Sequence, residues 1–119
     1  MRRKEESGDF AEAEARFDEM YRQFFRRERT YYFDTEKEII AEDIEDETIS
    51  ERDAIGKIQM LAELLYQDAL IRKTAPERID LLEKALYLFR YLDANSKTFS
   101  WERGQRMQDI VKMLDEVEI

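Results

Sequence analysis

Residues 76–92 read PERIDLLEKALYLFRYL, and this stretch decides the fold. Placed on a helix of about 100° per residue, Ile79, Leu81, Leu82, Ala85, Leu86, Leu88, Phe89 and Leu92 fall in one continuous sector. That sector covers roughly half the circumference, wider than the roughly 100° stripe of an ordinary surface helix. Glu77, Asp80, Glu83, Lys84, Tyr87 and Tyr91 fill most of the other side. So broad an apolar face needs more than one neighbour to cover it. The stretch is therefore expected to be the central helix of an all-α domain.

Upstream, Lys73-Thr74-Ala75-Pro76 reads as a turn, with Thr74 able to cap and Pro76 at a helix start, where its missing N–H costs nothing. Before it, Ser50 and Asp53 form a capping-box-like pair that opens a helix over about 51–72. Ile55, Ile58, Leu61, Ala62, Leu65 and Ala69 make its stripe, widened by Leu64 and Tyr66. Two long helices joined by so few residues form an antiparallel hairpin. Leu64-Leu65-Tyr66 with Ala69-Leu70, then Leu82-Glu83-Lys84-Ala85-Leu86 with Phe89, alternate large and small residues. In this, residues 51–95 resemble a tetratricopeptide-like helical hairpin. They depart from that family in lacking its glycine, in exceeding its 34-residue period and in having no second copy. The resemblance implies a hairpin of a kind that usually binds other proteins.

Downstream, Asn95 is placed to end the central helix as a left-handed C-cap. Ser100 caps a last helix from Trp101 to about Val117, with Met107, Ile110, Val111, Met113, Leu114 and Val117 on its stripe. Gly104 costs about 1 kcal/mol against Ala inside that helix, so it is expected to pack closely against a neighbour. Phe99 and Trp101 are expected to plug the end of the hairpin.

At the other end, residues 1–8 read as a frayed polar start. Asp9 with Glu12 opens a first helix to about Arg29, carrying Phe10, Ala13, Phe17, Met20, Tyr21, Phe24 and Phe25 within a roughly 140° arc. Thr30-Tyr31-Tyr32-Phe33-Asp34 is β-branched and aromatic, which predicts a loop or a distorted last turn. Thr35 with Glu38 opens an acidic helix with a thin apolar side of Ile39, Ile40, Ala41 and Ile44, expected to be short, exposed or ordered only by contact. The expected fold is an all-α antiparallel bundle of four long helices plus this short acidic one. Helices three and four form its inner hairpin, and residues 9–119 make a single helical domain.

Zero cysteines and zero histidines exclude disulfides, thiol nucleophiles, Cys- or His-ligated metals and the commonest general base. The acidic run 42–47 lacks the alternating spacing and the glycine of a calcium loop, and reads as a solvated charge run. Asp80 with Glu83 and Glu63 with Asp68 lie on expected outer faces, as chance pairs among 29 acidic residues do. No catalytic, metal or cofactor-binding residue is expected, and the chain is read as a non-enzyme. No run of 18 apolar residues is present, so no membrane span is expected. The opening MRRKEESGDF lacks an apolar segment, so a cytoplasmic location is expected.

The net charge of −9 is unevenly placed, for residues 31–56 hold 2 basic and 10 acidic side chains and so carry −8. Such a segment steers basic partners and weakens its hold with salt. Tyr31, Tyr32, Tyr87, Tyr91 and Trp101 are the candidate partner contacts, since Tyr and Trp combine large apolar area with a polar tip. Burial within the domain is the competing reading for them. The chain is read as a protein-interaction module that binds another protein or a second copy of itself. The alternative is a small nucleic-acid-associated regulator using residues 22–33, where Arg22, Arg26, Arg27 and Arg29 interleave with aromatics. The −8 segment that follows opposes phosphate approach.

Overall fold

The computed structural model describes residues 2–96 and 100–118, which form six α-helices and no strand. These are α1 (Arg2–Met20), α2 (Arg29–Asp34), α3 (Lys37–Glu47), α4 (Glu51–Ile71), α5 (Ala75–Asn95) and α6 (Trp101–Glu118), with a π-helical turn, Tyr21–Phe25, prolonging α1. The chain groups into two compact units, one ending at Thr35 and one beginning at Glu36.

In the second unit α5 takes the central place its broad apolar sector demands, packing on α4, α6 and α3. Leu82, Ala85, Leu88 and Leu92 have no exposed surface, and Leu81 and Phe89 are nearly as deep. Each buried leucine or phenylalanine side chain contributes about 1.5–3 kcal/mol. The covered sector is wider than the apolar pattern alone. Lys84, expected on the polar side, is buried, and its Nζ lies 2.9 Å from Asp80 Oδ2.

Helix α4 starts as its cap dictates, with the Ser50 hydroxyl oxygen accepting from the Asp53 N–H at 3.2 Å. It joins α5 through Arg72, Lys73 and Thr74 alone, and the two helices pack along one another. Thr74 stands at the N-cap position of α5 but donates its hydroxyl to Glu77 Oε2 at 3.1 Å instead of capping the backbone. Asp68 is not on an outer face, as its sequence position suggested. It is fully buried, accepting from Arg72 Nε at 3.2 Å and Nη2 at 3.4 Å. Arg72 also lies 3.6 Å from Glu77, and its carbonyl accepts from Arg78 Nη2 at 2.7 Å. Charged groups thus hold the hairpin turn where apolar residues run out.

At the far end Asn95 is still helical and has no positive φ, so it is not a left-handed cap. Its side-chain amide donates to the Tyr91 carbonyl at 2.8 Å. The Ser100 hydroxyl accepts from the Arg103 N–H at 3.1 Å and opens α6. Arg103, buried, ties the start of α6 to the end of α5 through Asp93 at 2.6 Å. One turn on, Arg106 ties α6 to α4 by a two-pronged contact with Glu63 at 2.7 and 3.0 Å, its guanidinium 4.2 Å above the Tyr66 ring. Trp101 plugs nothing: it is 67% exposed. Phe99 and the side chain of Val117 lie outside the described residues.

Gly104 departs from expectation too, because a Cβ built there meets no neighbouring atom within 4 Å. No close approach requires the glycine, and its helical backbone suits any residue. Gly104→Ala is therefore expected to raise stability by about 0.5–1 kcal/mol through lower unfolded-state entropy and better helix propensity. Urea denaturation reads this as a higher midpoint at unchanged slope.

Helix α3 is formed and anchored. Ile40, Ala41 and Ile44 are buried, and α3 packs on α4 and α5. It starts one residue later than the capping box suggested. The Thr35 N–H donates to the Tyr31 carbonyl at 3.0 Å and so closes α2, leaving Glu36 to open α3 without a side-chain cap.

In the first unit α1 begins at Arg2, so Asp9 lies within the helix and does not cap it. The π-helical turn is wider than an α-turn, and Tyr21 and Phe25 in it are both buried. Arg26 then takes the left-handed conformation, φ 55°, and its N–H donates to the Arg22 carbonyl at 3.0 Å. Residues 30–34, expected as loop or distorted turn, belong to the helix α2, Arg29–Asp34. Tyr32 stacks on Tyr21 with centroids 4.9 Å apart and meets Phe25 edge-on at 6.2 Å. Burial of this aromatic cluster overrides the poor helix propensity of Thr-Tyr-Tyr-Phe. Phe24, expected on the core side of the first helix, is exposed.

Candidate functional site

The five candidate aromatics have different fates and are divided between the two units. Tyr32 is only 2% exposed and belongs to the aromatic cluster of the first unit. Tyr31, half-buried, meets it edge-on at 5.1 Å and carries the Arg27 guanidinium 4.6 Å above its ring. Tyr87 and Tyr91, one turn apart on α5, are half-buried on the side that α3 covers. Of the five, Trp101 alone stands open.

Tyr87 reports the field of the acidic helix. Partial burial first, and then the carboxylates of Glu38, Glu42 and Glu45, push its phenol above the ordinary 10.0. The neutral phenol is common to folded and unfolded chains at neutral pH. The shift therefore weakens the fold only above the ordinary value, where the unfolded chain ionises first. Lys37 lies 5.9 Å from the same ring. Apart from half-buried Asp43, the acidic side chains of α3 are exposed, so its outer face presents their charge to solvent.

Hollows open on the second unit. One, about 660 Å³, is a groove between α5 and α6 lined by Leu86, Gly104, Met107 and Val111. Arg90, Asp93, Lys112 and Asp115 form its rim, two charges of each sign. Trp101, Gly104, Gln108, Val111 and Asp115 follow one another at i, i+3, i+7, i+10 and i+14, within roughly 80° of the α6 surface. Trp101 thus shares a stripe of α6 with the groove-lining Gly104, Gln108, Val111 and Asp115, although it does not itself line the groove. The signal was the period itself, which puts them on a stripe apart from the buried Ile110.

Another hollow, about 360 Å³, lies where α3, α4 and the end of α5 meet. A further one, about 240 Å³, lies between α4 and the start of α6, and Glu63, Arg103 and Arg106 line it. Glu63, Arg103 and Arg106 are engaged with one another or with Asp93, and the Glu63 contact holds the Arg106 guanidinium above its usual range. A catalytic acid or base needs a titratable group poised near the working pH. These are ion-paired struts. Among the described residues no group of three or more acidic side chains converges as a metal site requires.

The basic–aromatic stretch is largely consumed by local contacts. Arg29 is buried against Glu14 at 2.8 Å and lies over the Phe17 ring at 6.0 Å. Arg22 meets Glu28 at 3.2 Å on the surface. No helix among the described residues is long and apolar enough to cross a membrane. No family model, no curated protein and no solved structure matches the chain.

Proposed function

We propose that this chain is a non-enzymatic α-helical interaction module whose ligand is a protein, either another chain or a second copy of itself. The α5–α6 groove, together with the exposed Trp101 on the same stripe of α6, carries this reading. A large aromatic exposed beside an apolar trough has the composition of a binding hot spot. In this reading α4, α5 and α6 are successive members of an antiparallel bundle built around the α4–α5 hairpin, whose residues resemble those of tetratricopeptide-like hairpins. The acidic α3 supplies steering toward basic partners.

Light scattering at low and high salt separates the two forms of the reading. A dimer that persists at high salt and dissociates on Trp101→Ala identifies a second copy as the occupant. A monomer that retains a cellular protein, and loses it on Trp101→Ala, identifies a separate partner. A monomer that retains nothing, or whose partner ignores Trp101→Ala and Val111→Glu alike, overturns the proposal.

A further inference from the structure

The hollow at the corner of α3, α4 and α5 has a composition that selects a ligand by charge. Ile49, Ala54, Ile55 and Tyr91 line it beside the polar Thr48, Ser50 and Asn95, and it carries Glu45 and Glu51. Among the described residues no lysine or arginine lines it. Ile49, in the α3–α4 link, is fully exposed beside it, an apolar side chain with no cover of its own.

The backbone adds to the same field. Helix α3 ends at Glu47 and α5 at Asn95, and Thr48 and Asn95 both line the hollow, so two helix C-termini converge there. Each C-terminus carries about half a negative charge, and neither helix has a basic residue in its last turn to offset it. The N-terminus of α4 has the opposite sign, but Glu51 and Asp53 in its first turn counter it. Apolar walls, an aromatic ring, two exposed carboxylates and two helix C-termini suit one kind of group: a cation on an aliphatic stem.

We propose that this hollow docks a lysine or arginine side chain from a basic segment of a partner protein. The stem packs on Ile49, Ile55 and Tyr91 while the charged head meets Glu45 and Glu51. The proposal rests on the interaction-module reading and names the chemistry of its partner. The −8 segment gathers basic chains from a distance, and the hollow gives that attraction a fixed address.

The test is titration of the full chain with a short lysine-rich peptide at low salt, followed by amide NMR and by peptide fluorescence anisotropy. Shifts are expected to concentrate at Ile49, Ile55 and Tyr91. Glu45→Gln with Glu51→Gln should weaken the peptide roughly tenfold. Glu38→Gln with Glu42→Gln removes the same charge from the exposed face of α3 and should weaken it far less. Tyr91→Leu, which keeps the apolar bulk, should also weaken it. Equal loss in both glutamine pairs, with shifts spread along α3, means diffuse attraction. That overturns the hollow while leaving the interaction module intact. No peptide binding at low salt overturns the hollow as well, and the module then stands or falls on the α5–α6 groove through Trp101→Ala.

Discussion

Leu82→Ala is expected to destabilise the chain by about 2–5 kcal/mol, and Phe89→Ala by a comparable amount. Leu82 has no exposed surface and Phe89 almost none, and α5, which bears them, is in contact with three other helices. Truncation removes the transfer energy of the lost carbons and leaves a cavity that packed neighbours refill only in part. The melting temperature should fall on the order of 10 °C. Glu83→Ala, one residue from Leu82 but exposed, is the control and should stay within about 0.5 kcal/mol of the parent. If Leu82→Ala melts with the control, α5 is not the centre of the core.

Arg72→Met is expected to cost about 3–5 kcal/mol, although the residue makes no part of the apolar core. Its guanidinium is the cation for Asp68, a carboxylate with no exposed surface, and it also approaches Glu77. Removing one member of a buried pair leaves the other charge without compensation in a medium that cannot solvate it. Adding Asp68→Leu to Arg72→Met should restore much of the loss, because the stranded charge goes with it. Arg22→Ala makes the contrast. Arg22 and Glu28 are both more than half exposed, and such a surface pair is worth under about 1 kcal/mol. Chemical denaturation of the three variants checks all of this. Equal losses for Arg72→Met and Arg22→Ala would mean that the turn does not depend on the buried pair.

These two results bear on different kinds of legibility. Leu82 and Phe89 could be placed from the sequence because a helix writes its burial into a period, and a sector as wide as that of 76–92 needs neighbours on several sides. The caps at Ser50 and Ser100 were equally legible, since a hydroxyl three residues before a free N–H is a local arrangement. Asp68 and Lys84 were not. Each sits at a position whose charge suggests solvent, and each is buried beside a charged neighbour four residues away along the chain, which makes burial tolerable. That pairing is visible in the sequence only as spacing, which does not distinguish a buried pair from an exposed one. The candidate contacts divide in the same way. Tyr32 and Trp101 are alike in chemistry, yet one is core and the other open, because Tyr21 and Phe25 cover the first while the second stands at the open start of α6.

What the sequence determined by itself was the helical class, the long helices of about 51–72, 76–95 and 101–117 and the residues that make α5 central. Period, helix propensity and caps act within a few residues and need no knowledge of neighbours. Only the tertiary structure decided that residues 29–34 coil into a helix, that α3 is anchored through Ile40, Ala41 and Ile44, and that Trp101 stands exposed while Gly104 lines the α5–α6 groove. Those outcomes depend on which surfaces meet. Free energy from burying an aromatic cluster or an isoleucine face exceeds the few tenths of a kcal/mol per residue that local preference contributes.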